Sequence, residues 1–202
     1  MARVVLVARS MRSQDLISVV RAFSIGLLTL VGTVTSARAQ APETMTAVAN
    51  VRTASGGNAS APVTIVIQRF ATDADRDALV AAVKKSGTTG ARELLAKHSD
   101  VGSIQVGTKR TPVKYAYART TGSGRLLTLA TAEPVGFAGS DLPQVAPKAG
   151  FDLGLLLLEV NASGSGQGEL APATKVRVDQ QNAIVTEGSD AEVVRLSNVV
   201  KK

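Results

Sequence analysis

The first 39 residues have the layout of an export signal, and no cysteine follows them anywhere in the chain. This pairing constrains the fold more than any other feature. A secreted chain reaches a compartment where disulfides form, yet this one has none to form, so its domain must be held by a hydrophobic core alone. The signal has its three parts in the required order. Arg3, Arg9, Arg12 and Arg21 make the positive region, with Asp15 its single acid, and an uncharged apolar stretch runs from Ala22 to Val34. That stretch is shorter than the roughly 20 residues a spanning helix needs. Ala37-Arg38-Ala39 then supplies the small residues of a cleavage site before Gln40. The alternative Ala39-Gln40-Ala41 would place Pro42 just past the cut, where its fixed φ suits an extended protease site poorly. Met11 to Gln40 is itself a complete signal, so the leader has two candidate starts. The absence of an Arg-Arg pair argues against the twin-arginine route, and without cysteine no lipid can be attached through a thiol.

Residues 40–202 are expected to form a single β-rich soluble domain in the periplasm or outside the cell. Removing the leader's five basic residues and one acid leaves 18 basic and 15 acidic side chains. That small excess is no nucleic-acid footprint, and nucleic acid is not expected as a partner. No later segment is long and apolar enough to span a membrane as a helix. An outer-membrane barrel would want aromatic girdles, and the chain has no Trp and two Tyr.

The order of elements follows from the spacing of apolar residues. Residues 44–52 alternate, with Met45, Ala47, Ala49 and Val51 on one face. The Ser/Gly/Asn run 55–60 reads as a loop, and 62–70 as a central strand rich in β-branched residues. The period then lengthens. Thr72 and Asp75 have capping-box spacing, Asp73, Asp75 and Asp77 complement a helix N-terminus, and Leu79, Val80 and Val83 form the buried stripe. Gly87 stops this helix, and a second is expected from Thr89 to His98, with Ala91, Leu94, Leu95 and His98 on one face. Strands resume with 103–106, followed by 112–120 and 125–132 around the hairpin signal Thr121-Gly-Ser-Gly124. A Pro/Gly-rich loop covers 133–149, with prolines at 134, 143 and 147. A long buried strand follows at 150–160, then a flexible turn at 161–168. Next come 169–178, where Pro172 marks an edge or break, and strands at 183–187 and 191–200. The expected fold is α+β and mainly antiparallel, a sandwich or half-open barrel of about eight strands. One helical pair is inserted between strands 2 and 3.

Several motifs suggest chemistry and fail on spacing. Asp73, Asp75 and Asp77 imitate the start of a calcium loop, but its sixth and twelfth positions hold Ala78 and Lys84 in place of Gly and Glu. Gly102 to Gly107 imitates a phosphate loop, but Thr108 separates the second glycine from Lys109 and Pro112 opens a strand where a helix should begin. His98 is the only histidine, which rules out a multi-histidine metal cage, and no Gly-x-Ser-x-Gly elbow exists. Asp152, Glu159 and Glu169 surround one long strand, and spacing alone does not bring them to the separation that paired-carboxylate hydrolysis requires. No catalytic residue, metal site or cofactor is predicted.

What remains is a basic cluster around the hairpin. Lys114, Tyr115, Tyr117, Arg119 and Arg125 are the candidate ligand-binding residues, with Lys109 and Arg110 nearby. Their plainer reading is a core-facing Tyr pair with solvated charges around it.

Three stretches carry a resemblance: YAYARTTGSGRLLTLATAEPVGF at 115–137, GELAPATKV at 168–176 and AEVVRLSNV at 191–199. Together they resemble a group of uncharacterised exported bacterial proteins, which implies one intact domain and no known activity. The leading functional expectation is therefore a non-enzymatic exported binding domain whose partner is an envelope protein or an apolar or anionic ligand. The alternatives are a carboxylate-dependent hydrolase and a purely structural envelope module. A pocket lined by Leu127, Leu129, Leu155 and Leu157 would favour a ligand binder. A filled interior would favour an interaction module, and acids converging in a cleft would favour an enzyme.

Overall fold

The computed structural model describes residues 41–52, 57–144, 146, 148–189 and 192–202. The expected leader, its cleavage site and Pro147 lie outside the described residues. Strands β1 (Glu43–Arg52) and β2 (Asn58–Ile67) pair antiparallel in unbroken register, from Glu43 opposite Ile67 to Arg52 opposite Asn58. Met45, Ala47, Ala49 and Val51 are buried on one face, as their alternation predicts. β2 begins earlier than expected, because Asn58 and Ser60 continue the ladder outward while Ala59 and Ala61 point in. It also stops at Ile67, where the N–H groups of Gln68 and Arg69 turn to the carbonyl of Val101.

Helix α1 (Asp73–Lys97) follows β2. Thr72 Oγ1 accepts the N–H of Asp75 at 3.2 Å and Asp75 Oδ2 accepts the N–H of Thr72 at 2.8 Å, a complete capping box. The expected helical pair is one helix broken in the middle, with Ser86 leaving helical geometry and Gly87 at φ 58°. Gly87 fits there because positive φ carries no Cβ penalty. His98 is the C-cap with extended φ and ψ, beyond the helix's last turn. Thr72→Ala is expected to cost about 0.5–2 kcal/mol, the range for a lost N-cap, as a shift in the urea midpoint at unchanged m-value.

The remaining strands are β3 (Gly102–Val106), β4 (Lys109–Val113), β5 (Tyr115–Thr121), β6 (Gly124–Ala130), β7 (Leu153–Asn161), β8 (Ser165–Val178), β9 (Ile184–Ser189) and β10 (Val194–Lys201). They form one antiparallel sheet in the order β4-β3-β2-β1-β10-β8-β7-β6-β5, with β9 added to β8. The two ends of this path, β4 and β5, are consecutive in the chain and separated only by Lys114. A sheet whose first and last strands share one stretch of backbone must curl round on itself, and the result is a nearly closed barrel.

Three expectations change with this topology. The single strand expected at 112–120 starts at Lys109 and divides at Lys114, whose N–H bonds the carbonyl of Ala130. This division contributes to there being ten strands among the described residues where about eight are predicted. The run 161–168 is not wholly a turn, since Ser165–Gly168 belongs to β8. A Cβ on Gly166 would strike the carbonyl oxygen of Glu159, and one on Gly168 that of Leu157. These glycines therefore mark close strand approach, not flexibility. Pro172 stays inside β8, at a bulge between the pairs Leu153–Thr174 and Leu155–Ala171. Pairing with β10 ends at Leu170 and pairing with β9 begins at Thr174, so at Pro172 no ladder needs the missing N–H.

Two apolar layers result. The barrel interior is filled by side chains from its strands, among them Ile65, Ile104, Val113, Leu127, Leu129, Leu156, Leu158, Leu170 and Leu196. Outside it, α1 lays Leu79, Val80, Val83, Ala91 and Leu95 over Tyr115, Ala130, Leu153, Leu155, Val176 and Ile184.

Candidate functional site

The β5–β6 hairpin carries most of the expected site, and the pleat of its strands divides it. Tyr115, Tyr117 and Arg119 alternate onto the outer face, opposite Ala130, Thr128 and Leu126. Tyr115 is buried under α1, and that burial pushes its hydroxyl well above the usual tyrosine range. Tyr117 is only partly covered. Its hydroxyl donates to Asp73 at 2.7 Å and accepts from Arg76 at 3.0 Å, and the bond to Asp73 raises its pKa. The two rings stack at 6.3 Å, and the Arg76 guanidinium lies 5.5 Å from the Tyr117 ring centre. Arg119 is exposed and makes no ion pair with any described residue.

These outer-face residues border a groove of about 180 Å³, with Leu126 and Thr128 in the same lining. Its other wall is the turn before β9. Asp179 Oδ1 accepts the N–H groups of Gln181 and Ala183, both at 2.8 Å, which holds Asn182 at φ 56°. Asparagine tolerates that left-handed conformation better than most residues.

Arg125 and Lys114 do not belong to this face. Arg125 shares the inward parity of Leu127 and Leu129, and its guanidinium makes two bonds to Glu43, at 3.0 and 2.9 Å. Lys201 adds an ammonium 3.1 Å from the same carboxylate, so β1, β6 and β10 are tied together there. Burial alone would raise the pKa of Glu43, but the hydrogen bonds and charges of Arg125 and Lys201 outweigh it and hold the carboxyl below its ordinary value. Lys114 sits at the β4–β5 corner, bonded to Asp100 at 2.7 Å and to the carbonyl of His98 at 3.2 Å. The pleat thus divides the predicted five-residue cluster, because proximity in a hairpin sequence does not distinguish the two faces of its sheet, although Arg119 and Arg125 both line a further groove with Ser123 and Glu159 at the hairpin's end. Glu43 and Lys201 were not among the predicted residues. The available signal was an acid two positions before Met45, on the inward parity of β1.

The four leucines whose shared pocket would favour a ligand binder also divide. Leu127 and Leu129 face the filled interior, Leu155 lies under α1, and Leu157 is half-buried on the outer face. Leu126 and Leu157 share a second, open groove with Glu159, Gln167, Glu169 and Arg195. Glu159 and Glu169 are exposed on this sheet face and both line that groove. Asp152 lies elsewhere, paired with Arg92 at 3.2 Å.

The other motifs have structural roles. Asp75 closes the capping box, Asp73 serves Tyr117, and Asp77 bonds Arg76 at 2.8 Å. The false phosphate loop is β3 and its turn, with Gly107 at φ 59°. Among the described residues, no helix is long and apolar enough to cross a membrane.

No protein-family model, curated protein or solved structure matches this chain.

Proposed function

We propose that this is an exported, non-enzymatic binding domain that engages its partner through the outer face of its sheet. The observation that carries this reading is the division between the two faces. The interior is occupied by apolar side chains from strands all around the barrel, whereas the outer face of β6 and β7 leaves Leu126 and Leu157 only half-buried between charged residues. A half-buried apolar centre with a charged rim is the composition of a recognition surface. The leader supports export, and the filled core supplies the stability that a chain without disulfides needs in that compartment.

Two measurements test this. Mass spectrometry of the exported fraction is expected to find a chain beginning at Gln40, and an intact leader on a membrane-bound protein would overturn the export reading. A photo-crosslinking side chain at Leu157, produced in the native host, is expected to give discrete adducts. The same group at Ser60, exposed on β2, is expected to give none. Equal patterns from both positions would remove the outer β6–β7 face as the binding surface.

A further inference from the structure

We infer that the groove beside Tyr117 binds a small amphipathic carboxylate, with its charge on Arg119 and its short apolar body along Leu126 and Thr128. This rests on reading the protein as a binding domain and adds a second site and a ligand class to it.

Charge comes first. The lining contains two arginines and no acid. Arg76 is already engaged, by Asp77 at 2.8 Å and Asp73 at 3.6 Å. Among the described residues Arg119 is the cation of this lining without a side-chain partner, and its planar fork suits a carboxylate in a two-pronged bond. The Asp179 carboxylate in the neighbouring turn accepts two backbone N–H groups through Oδ1 and is not part of the lining.

The walls then set the rest of the ligand. Tyr117 lies two residues before Arg119 on the same face of β5, with Thr128 and Leu126 across the ladder. This gives an apolar floor ending at a guanidinium. On the far wall, Asn182 Oδ1 accepts from Lys84 Nζ at 2.7 Å, which leaves the amide N–H₂ of Asn182 as a donor. The groove's 180 Å³ is below the roughly 300–1,000 Å³ of pockets for drug-sized ligands, which suits a body of a few carbons.

The chain provides its own reporter. It has no Trp, and its only tyrosines are Tyr115 and Tyr117, so intrinsic emission arises at this groove. Titration of the mature protein with hexanoate, which does not absorb with tyrosine, is expected to change that emission saturably. Hexanol and inorganic phosphate are expected to bind at least about tenfold more weakly, since each lacks one half of the match. Arg119→Gln is expected to lower hexanoate affinity by at least about tenfold with circular dichroism unchanged, because that exposed side chain has no partner among the described residues to lose. Arg119→Lys should recover part of it. Equal affinity for hexanoate and hexanol, or no loss in Arg119→Gln, would overturn the proposal. If hexanoate fails while the Leu157 adducts persist, only the groove proposal falls. If the adducts are absent while hexanoate binds, the outer-face reading falls and the groove stands.

Discussion

Arg125→Ala is expected to lower stability at neutral pH by about 3 kcal/mol, the lower part of the range for removing one partner of a buried pair. Glu43 is almost fully buried at the mouth of the barrel, with both carboxylate oxygens bonded to Arg125. Without the guanidinium, that carboxylate keeps only Lys201, which is more exposed and closes the site less completely. The sign of the pH dependence follows. The folded pKa of Glu43 lies below its ordinary value of 4.5, so its contribution is present above pH 4.5 and is lost as pH falls through the lower, folded value. The difference in urea midpoint between the wild type and Arg125→Ala should therefore be full at neutral pH and shrink as the pH is lowered from 4.5 through the folded value. The double variant Glu43→Gln, Arg125→Met should recover much of the loss, because no charge is then left buried alone. A single-variant loss below about 1 kcal/mol would show that Lys201 suffices.

Leu156→Ala is expected to cost about 2–5 kcal/mol, while Leu157→Ala at the next position costs about 1 kcal/mol or less. Leu156 is fully buried in the barrel interior, opposite Leu129 on β6 and Leu170 on β8. Shortening it opens a cavity among neighbours fixed by two ladders, where collapse is limited. Leu157 projects outward and is only half-buried, so its removal leaves a smaller void. Chemical denaturation of both variants reads the difference directly. A larger cost at Leu157 than at Leu156 would mean that the β7 register is off by one residue, which exchanges the two faces.

The sequence by itself determined features whose cause is local. The alternation of β1 specified its buried face, Thr72 and Asp75 specified where the helix begins, and Gly87 specified where it breaks. In each case the deciding interaction spans only a few residues, so spacing is enough. The α+β class and the antiparallel character followed from the same periodicities. Tertiary structure alone decided what depends on distant pairing. Closure of the sheet arises because β4 and β5, adjacent in the chain, find partners at opposite ends of the strand order. The glycines of β8 serve close approach to β7, which composition cannot separate from flexibility. Arg125 and Arg119, six residues apart on one hairpin, fall on opposite faces. One is tied to Glu43, whose position 82 residues away in sequence no local pattern reveals. The other, without a partner among the described residues, borders a groove whose far wall comes from the turn before β9. A period of two says which residues share a face, but only the folding of the whole sheet says what that face meets.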